Sequence, residues 1–264
     1  RRTSYTPTDP MAFVGDPPLE AWRPEADEVH VSVTFSWDLK RAEELAQAWQ
    51  QYYPIIRVAG PAWSIQWAGD FSPGLYVKQG VTFTSRGCNN RCPWCLVPDR
   101  EGKFRTIPIT PGHILQANNL FMAPKAHIEQ VFAMLKTQRR AAVFAGGLDA
   151  TLLTDWVAGE LRGLRIEQLF LACDTAGAIK PLRKALGKLR WLPRDKLRCY
   201  VLLAYGGETI EQASTRLAEI WETGFMPFAQ LYQPPEKYIT YSADWKALAR
   251  EWSRPAAMKA QHRG

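Results

Sequence analysis

The sequence predicts an α/β protein, a partial (β/α)6-type barrel that carries a small N-terminal β-α-β cap. Between residues 79 and 240, apolar runs of period 2 alternate with amphipathic runs of helical period, the pattern of a parallel sheet joined by crossover helices. A stretch at 64–78, with Trp, Gly, Asp and Pro scattered through it, reads as a linker and separates a shorter unit in front. The chain has 264 residues, 46% hydrophobic and 22% charged, enough for one large domain or one domain with an appendage. The expected divisions are an extended segment and cap over 1–78, the barrel over 79–240 and a helical tail over 241–264.

The Pro-rich opening, residues 1–25 with "GDPP", reads as an extended lead-in. "EVHVSVTF" (28–35) alternates as a strand. Residues 37–53 then place Leu39, Ala42, Leu45, Ala46 and Trp49 on one helical face, and "IIRVAGPAW" follows as a second strand. After the linker come strand "GVTFTS", a cysteine-bearing loop, a short strand near "HILQA" and a helix over 124–140. Strand "AAVFAGG", a helix over 151–164, strand "IEQLFLACD" and a helix over 179–189 continue the alternation. Strand "RCYVLLAYGG", a helix over 211–223 and strand "FMPFAQLYQ" complete it. "TIEQ" at 209–212 is a capping box and marks one helix start firmly. Right-handed crossovers place the strand-end tips "AGG", "CDT", "YGGE" and "YQPP" on the same face as the cysteine loop, where β/α barrels carry their chemistry.

Composition narrows the class. With no uninterrupted apolar run of about 18 residues and no apolar signal core at the start, the chain is expected to be soluble, cytoplasmic and not membrane-bound. It opens on Arg, so part of a native N-terminus is expected to precede it. Five cysteines, three of them within eight residues, do not form a disulfide framework and fit a reducing compartment. The net charge of +7 permits an anionic partner without demanding one.

"TSRGCNNRCPWCLVP" (84–98) holds Cys88, Cys92 and Cys95 in a C-x3-C-x2-C spacing. A structural zinc site wants four ligands, and no second pair of cysteines or histidines accompanies these three: His30 and His262 are distant, and His113 and His127 have no pairing partner. Three thiolates suit an iron–sulfur cluster whose remaining iron is kept for another ligand.

Here the sequence resembles the radical S-adenosylmethionine (SAM) superfamily, whose signature is this spacing with an aromatic residue before the last cysteine, as Trp94 is here. The resemblance covers roughly residues 79–235 and rests most heavily on the cysteine loop. It implies a [4Fe-4S] cluster on Cys88, Cys92 and Cys95, SAM bound to the fourth iron, an electron-donor protein such as a flavodoxin or ferredoxin, and hydrogen abstraction by a 5′-deoxyadenosyl radical.

The resemblance also implies cofactor-binding positions. Gly146-Gly147 stands where the family has Gly-Gly-Glu, with Leu148 in the place of the Glu and Asp149 next; only a backbone role toward SAM carries over, and the pair also reads as a tight turn. Asp174 stands where a polar residue meets the SAM ribose, or serves as a helix N-cap. "LLAYGGETIEQ" resembles "GxPGET", placing Tyr205 and Gly206 near the cofactor and Glu208 at a helix start. Tyr232 and Gln233 in "QLYQPP" flank the adenine or pack the barrel end. Cys173 and Cys199 read as inert core. No residue is singled out as catalytic beyond these.

The front unit resembles the tail of the cobalamin-binding domain that precedes some of these barrels. It lacks the Asp-x-His-x-x-Gly motif and is too short, so it reads as a remnant or independent cap and cobalamin is not expected. Segment 180–198 holds eight basic residues against one acid and reads either as a phosphate-backbone contact or as a solvated helix face. The expected substrate is a small or nucleotide-like molecule. The alternatives are radical SAM modification of tRNA or DNA, and, from another class, a non-catalytic iron–sulfur or zinc protein that binds nucleic acid.

Overall fold

A computed structural model describes residues 2–63 and 76–261. Most of the expected linker at 64–78 lies outside the described residues, as does His262.

The front unit is β1 (Glu28–Ser32), α1 (Leu39–Gln50) and β2 (Ile55–Ala59), with the two strands parallel and Glu28 opposite Ile55. Leu39, Ala42, Leu45 and Ala46 recur at helical spacing and close a small core against Val31, Val33, Ile56 and Val58. Trp49, expected on the same stripe, is buried, with its ring against Phe13 and Tyr53. The expected extended lead-in is therefore partly packed. Tyr5, from the same lead-in, joins a cluster with Val81, Ile114 and Ala145 of the main sheet.

The remaining elements are β3 (Val81–Thr82), β4 (Ser85–Arg86), α2 (Val97–Glu101), β5 (Arg105–Thr106), β6 (Ile114–Leu115), α3 (Lys125–Lys136), β7 (Ala142–Asp149) and α4 (Asp155–Leu161). They continue with β8 (Ile166–Ala172), α5 (Ile179–Leu189), β9 (Leu197–Leu203), α6 (Ile210–Glu222), β10 (Met226–Leu231), α7 (Ala243–Glu251) and α8 (Pro255–Gln261). Six strands form one parallel sheet in the order β3-β6-β7-β8-β9-β10, so from β6 on each strand pairs with the next in the chain across a single helix.

Side chains alternate across the sheet. Leu169, Leu171 and Cys173, with Leu197, Cys199, Val201 and Leu203, meet Leu182, Leu189, Leu217 and Ile220 of the helices in the main core. Each such fully buried aliphatic side chain contributes roughly 2 kcal/mol. Phe170, Arg198, Tyr200 and Phe228 belong to the opposite face, where the Phe170 and Tyr200 rings stack and Phe228 meets both edge-on. The C-terminal tail is helical as expected, and Trp252 and Met258 bury it in the main core.

The structure corrects several expected boundaries. "GVTFTS" is two strands: β3 stays in the parallel sheet, whereas β4 leaves it to pair antiparallel with β5, Ser85 opposite Thr106. The helix expected over 151–164 is a 3-10 turn followed by α4, capped by Thr154, whose side chain accepts from the Val157 N–H. Gly146-Gly147 does not end its strand. Between the pairs Phe144–Leu169 and Leu148–Leu171, residues 145–147 stand opposite Phe170 alone, and that bulge contains the glycines. Gly147 has φ +75°, and a Cβ on Gly146 would lie 1.6 Å from the Ala117 carbonyl oxygen, so the bulge accepts no side chain there. The capping box at Thr209 is formed as expected.

Candidate functional site

The cysteine loop is closed at its base by the β4–β5 ribbon. Gly87 turns the chain into the loop with φ +72°, and a Cβ there would meet the Lys103 carbonyl at 2.2 Å. The Cys88 N–H then donates to the Gly102 carbonyl and the Phe104 N–H to Asn89 Oδ1, which ties the two arms together.

Glu101, at the end of α2, is the hub of this base. Its carboxylate accepts from the Gly87 N–H (2.9 Å), Asn118 Nδ2 (2.7 Å) and Arg86 Nη1 (3.4 Å). Neither Glu101 nor α2 is legible in the sequence, because the partners lie up to 17 residues away. Asn90 Nδ2 donates to Asp149 Oδ2 at 3.0 Å and fastens the tip of the loop to the end of β7. Leu148, which follows the glycine pair, is buried in the core, and Asp149 is the acid that reaches the loop.

Cys88, Cys92 and Cys95 are all half-buried, and a turn from the Cys95 N–H to the Cys92 carbonyl sets the last two. Burial pushes the Cys92 thiol up, and Cys95, Asp174, Cys88 and Asp149 add to the shift by their charge. Burial also raises Cys95, opposed by the Val97 N–H and reinforced by Cys88, Asp174 and Glu101. Cys88 Sγ lies 3.9 Å from Met122 Sδ. Among the described residues, no group of three His, Cys, Asp or Glu side chains is arranged to hold a single metal ion.

The donor set has the chemistry of an iron–sulfur site: three soft sulfurs on one loop, each within reach of the others' charge. The Thr84 and Ser85 hydroxyls, buried at the root of the loop, have no hydrogen-bond partner among the described residues. The described histidines are engaged elsewhere. His30 meets Tyr76 and Glu28, His127 Nε2 contacts the Thr84 carbonyl oxygen, and His113 lies against Gly80.

Four of the predicted cofactor residues meet. Asp174 Oδ1 accepts the Leu202 N–H at 2.8 Å, and the Trp94 side chain lies beside the same carboxylate and favours its charged form. The Trp94 and Tyr205 rings meet edge-on at 5.4 Å, and Tyr205 meets Tyr232 at 4.9 Å. Burial lifts the Asp174 carboxyl above the usual carboxylate range, against the pull of the Leu202 N–H, Arg216 and Trp94. The helical turn after Asp174 starts at Thr175 without a side-chain cap, so Asp174 is not an N-cap.

Gly206 and Gly207, at φ +65° and +79°, form a tight turn closed by the Glu208 N–H to the Tyr205 carbonyl. Glu208 Oε2 accepts the N–H of Ala204, which sits at φ +61°. Its Oε1 pairs with Arg216, and Arg216 donates in turn to the carbonyls of Cys173 (3.3 Å) and Leu202 (2.7 Å). Sequence reasoning placed Glu208 at a helix start and missed Arg216, which binds the ends of β8 and β9 together.

Gln233 uses its amide on Ile239, accepting from the N–H at 2.7 Å and donating to the carbonyl at 3.0 Å. Cys173 and Cys199 are fully buried, and their thiols donate to the Thr175 and Tyr200 carbonyls. The basic segment is not one strip. Lys180, Lys184 and Lys188 line a cavity of about 260 Å³ with Thr151, Arg194 lies over Trp221, and Arg198 is buried on the sheet. No described helix is long and apolar enough to cross a membrane. No protein-family model matches the chain, and no curated protein matches it.

Proposed function

We propose that the chain is a radical SAM enzyme on a partial (β/α)6-type barrel. The observation that carries this reading is the meeting of Trp94 with Asp174 and Tyr205: it brings the C-x3-C-x2-C loop to the end of β8, so that the sulfurs, an acidic group and the Tyr205–Tyr232 pair share one edge of the sheet. Cys88, Cys92 and Cys95 would hold a [4Fe-4S] cluster, which with SAM supplies reductive sulfonium cleavage and hydrogen-atom abstraction from substrate.

The chain's own residues fix and shield. Glu101 holds the base of the loop, and Asn90 with Asp149 holds its tip. Asp174 offers acceptor oxygens for ribose hydroxyls. Tyr205 and Tyr232 give a nucleoside an apolar wall and keep water from the reacting centre. The bulge at Gly146-Gly147 takes the backbone off the β8 ladder, which favours a backbone contact to SAM. A small-molecule substrate is favoured over nucleic acid because the basic segment is divided between cavity, surface and sheet face.

Anaerobic reconstitution tests the reading. The protein should take up about four irons and, with dithionite and SAM, release 5′-deoxyadenosine, and Cys92→Ala should abolish both. A tightly bound zinc in place of iron, or product formation by the Cys92→Ala variant equal to that of the wild type, overturns it.

A further inference from the structure

Arg198, the second residue of β9, is only 4% exposed, yet its buried Nε has no hydrogen-bond partner and, among the described residues, its guanidinium has no carboxylate partner. Its contacts are the rings of Phe170 (5.5 Å) and Phe228 (5.6 Å) on the neighbouring strands. Ring faces attract a cation but accept none of its N–H groups in the way an oxygen does. Burial pulls its pKa down, opposed only in part by Tyr200, the sign of a charge removed from water with little compensation. Buried arginines are ordinarily paired, and the other two buried here are: Arg86 has Glu101, and Arg216 has Glu208 and two carbonyls.

We propose that Arg198 is the anchor for an oxyanion, a carboxylate or phosphate, on the substrate. The guanidinium fork matches either group in two parallel hydrogen bonds, and the flanking Phe170 and Phe228 rings exclude competing water. The anion is not that of SAM. Arg198 lies four residues before Leu202, the partner of Asp174, and at about 3.3 Å per residue the two are roughly 13 Å apart along β9. A small acid or sugar phosphate anchored there would have to span that distance to bring its other end toward Asp174. Assigning the anion to the substrate rests on the radical SAM reading, whereas the anion site does not.

The test uses the protein without iron or SAM, so its result is independent of reconstitution. Thermal melting is followed while inorganic phosphate, or acetate, replaces chloride at constant ionic strength. The wild type should gain roughly 5 °C, saturably, in at least one series. Arg198→Met, an apolar side chain of similar length, should melt about 3–10 °C higher than the wild type without ligand and show no response. A response to phosphate alone assigns a phosphorylated substrate, and one to acetate a carboxylic acid. If the wild type and Arg198→Met respond alike, or neither responds, the proposal falls. Should Arg198→Met not fold, Arg198→Gln is read by the same criterion.

Discussion

Removing the Glu208 carboxylate should loosen the strand ends that carry Asp174 and Tyr205. The Glu208 and Arg216 side chains are 16% and 8% exposed, so Glu208→Ala leaves an arginine charge largely out of water. Breaking such a pair costs about 3–5 kcal/mol, and the Ala204 N–H loses its acceptor for about 1 kcal/mol more. The carbonyls of Cys173 and Leu202 still receive Arg216 and offset part of this, which places the net loss near 3 kcal/mol. For a chain of this size that is a fall in melting temperature of roughly 6–12 °C, read by far-ultraviolet circular dichroism. Arg216→Met combined with Glu208→Ala should lose less than the sum of the single variants, by about 1–3 kcal/mol. A fall of under about 2 °C for Glu208→Ala, or strict additivity, would refute the assigned role.

Two further perturbations probe the same edge. Ala204→Gly relieves a left-handed conformation that costs alanine about 1–2 kcal/mol, offset by the greater freedom of unfolded glycine, so the urea midpoint should rise by the equivalent of about 0.5–1 kcal/mol with m unchanged; a lower midpoint contradicts it. Trp94→Phe keeps an aromatic edge against Tyr205 but removes the indole N–H beside Asp174, so reconstituted protein should hold its iron yet form 5′-deoxyadenosine about tenfold more slowly; an unchanged rate removes the Trp94–Asp174 contact from the mechanism.

What the sequence made legible follows its local periodicity. The bounds of α5 are read correctly because Ile179, Leu182, Ala185 and Leu189 repeat at helical spacing and bury together. The start of α6 is legible because a capping box is a four-residue signal. The β3–β4 break is not, since it depends on pairing with residues about twenty positions later, and the bulge in β7 depends on the Ala117 carbonyl in the segment after β6. The site divides the same way. The cysteine spacing and Trp94 are local, whereas Glu101, Arg216 and the meeting of Tyr5 with the sheet arise only when distant segments fold together.

The partition of the five cysteines has a practical consequence. Cys173 and Cys199 are sealed in the core while the three loop thiols are partly open, so a thiol reagent added to the folded protein reads the loop alone. The reactive count is then an internal gauge of occupancy: three for the bare loop, none once its sulfurs are bound, and two more only when the chain is denatured. The same sealing limits oxidative damage to the three sulfurs on which the proposed chemistry depends.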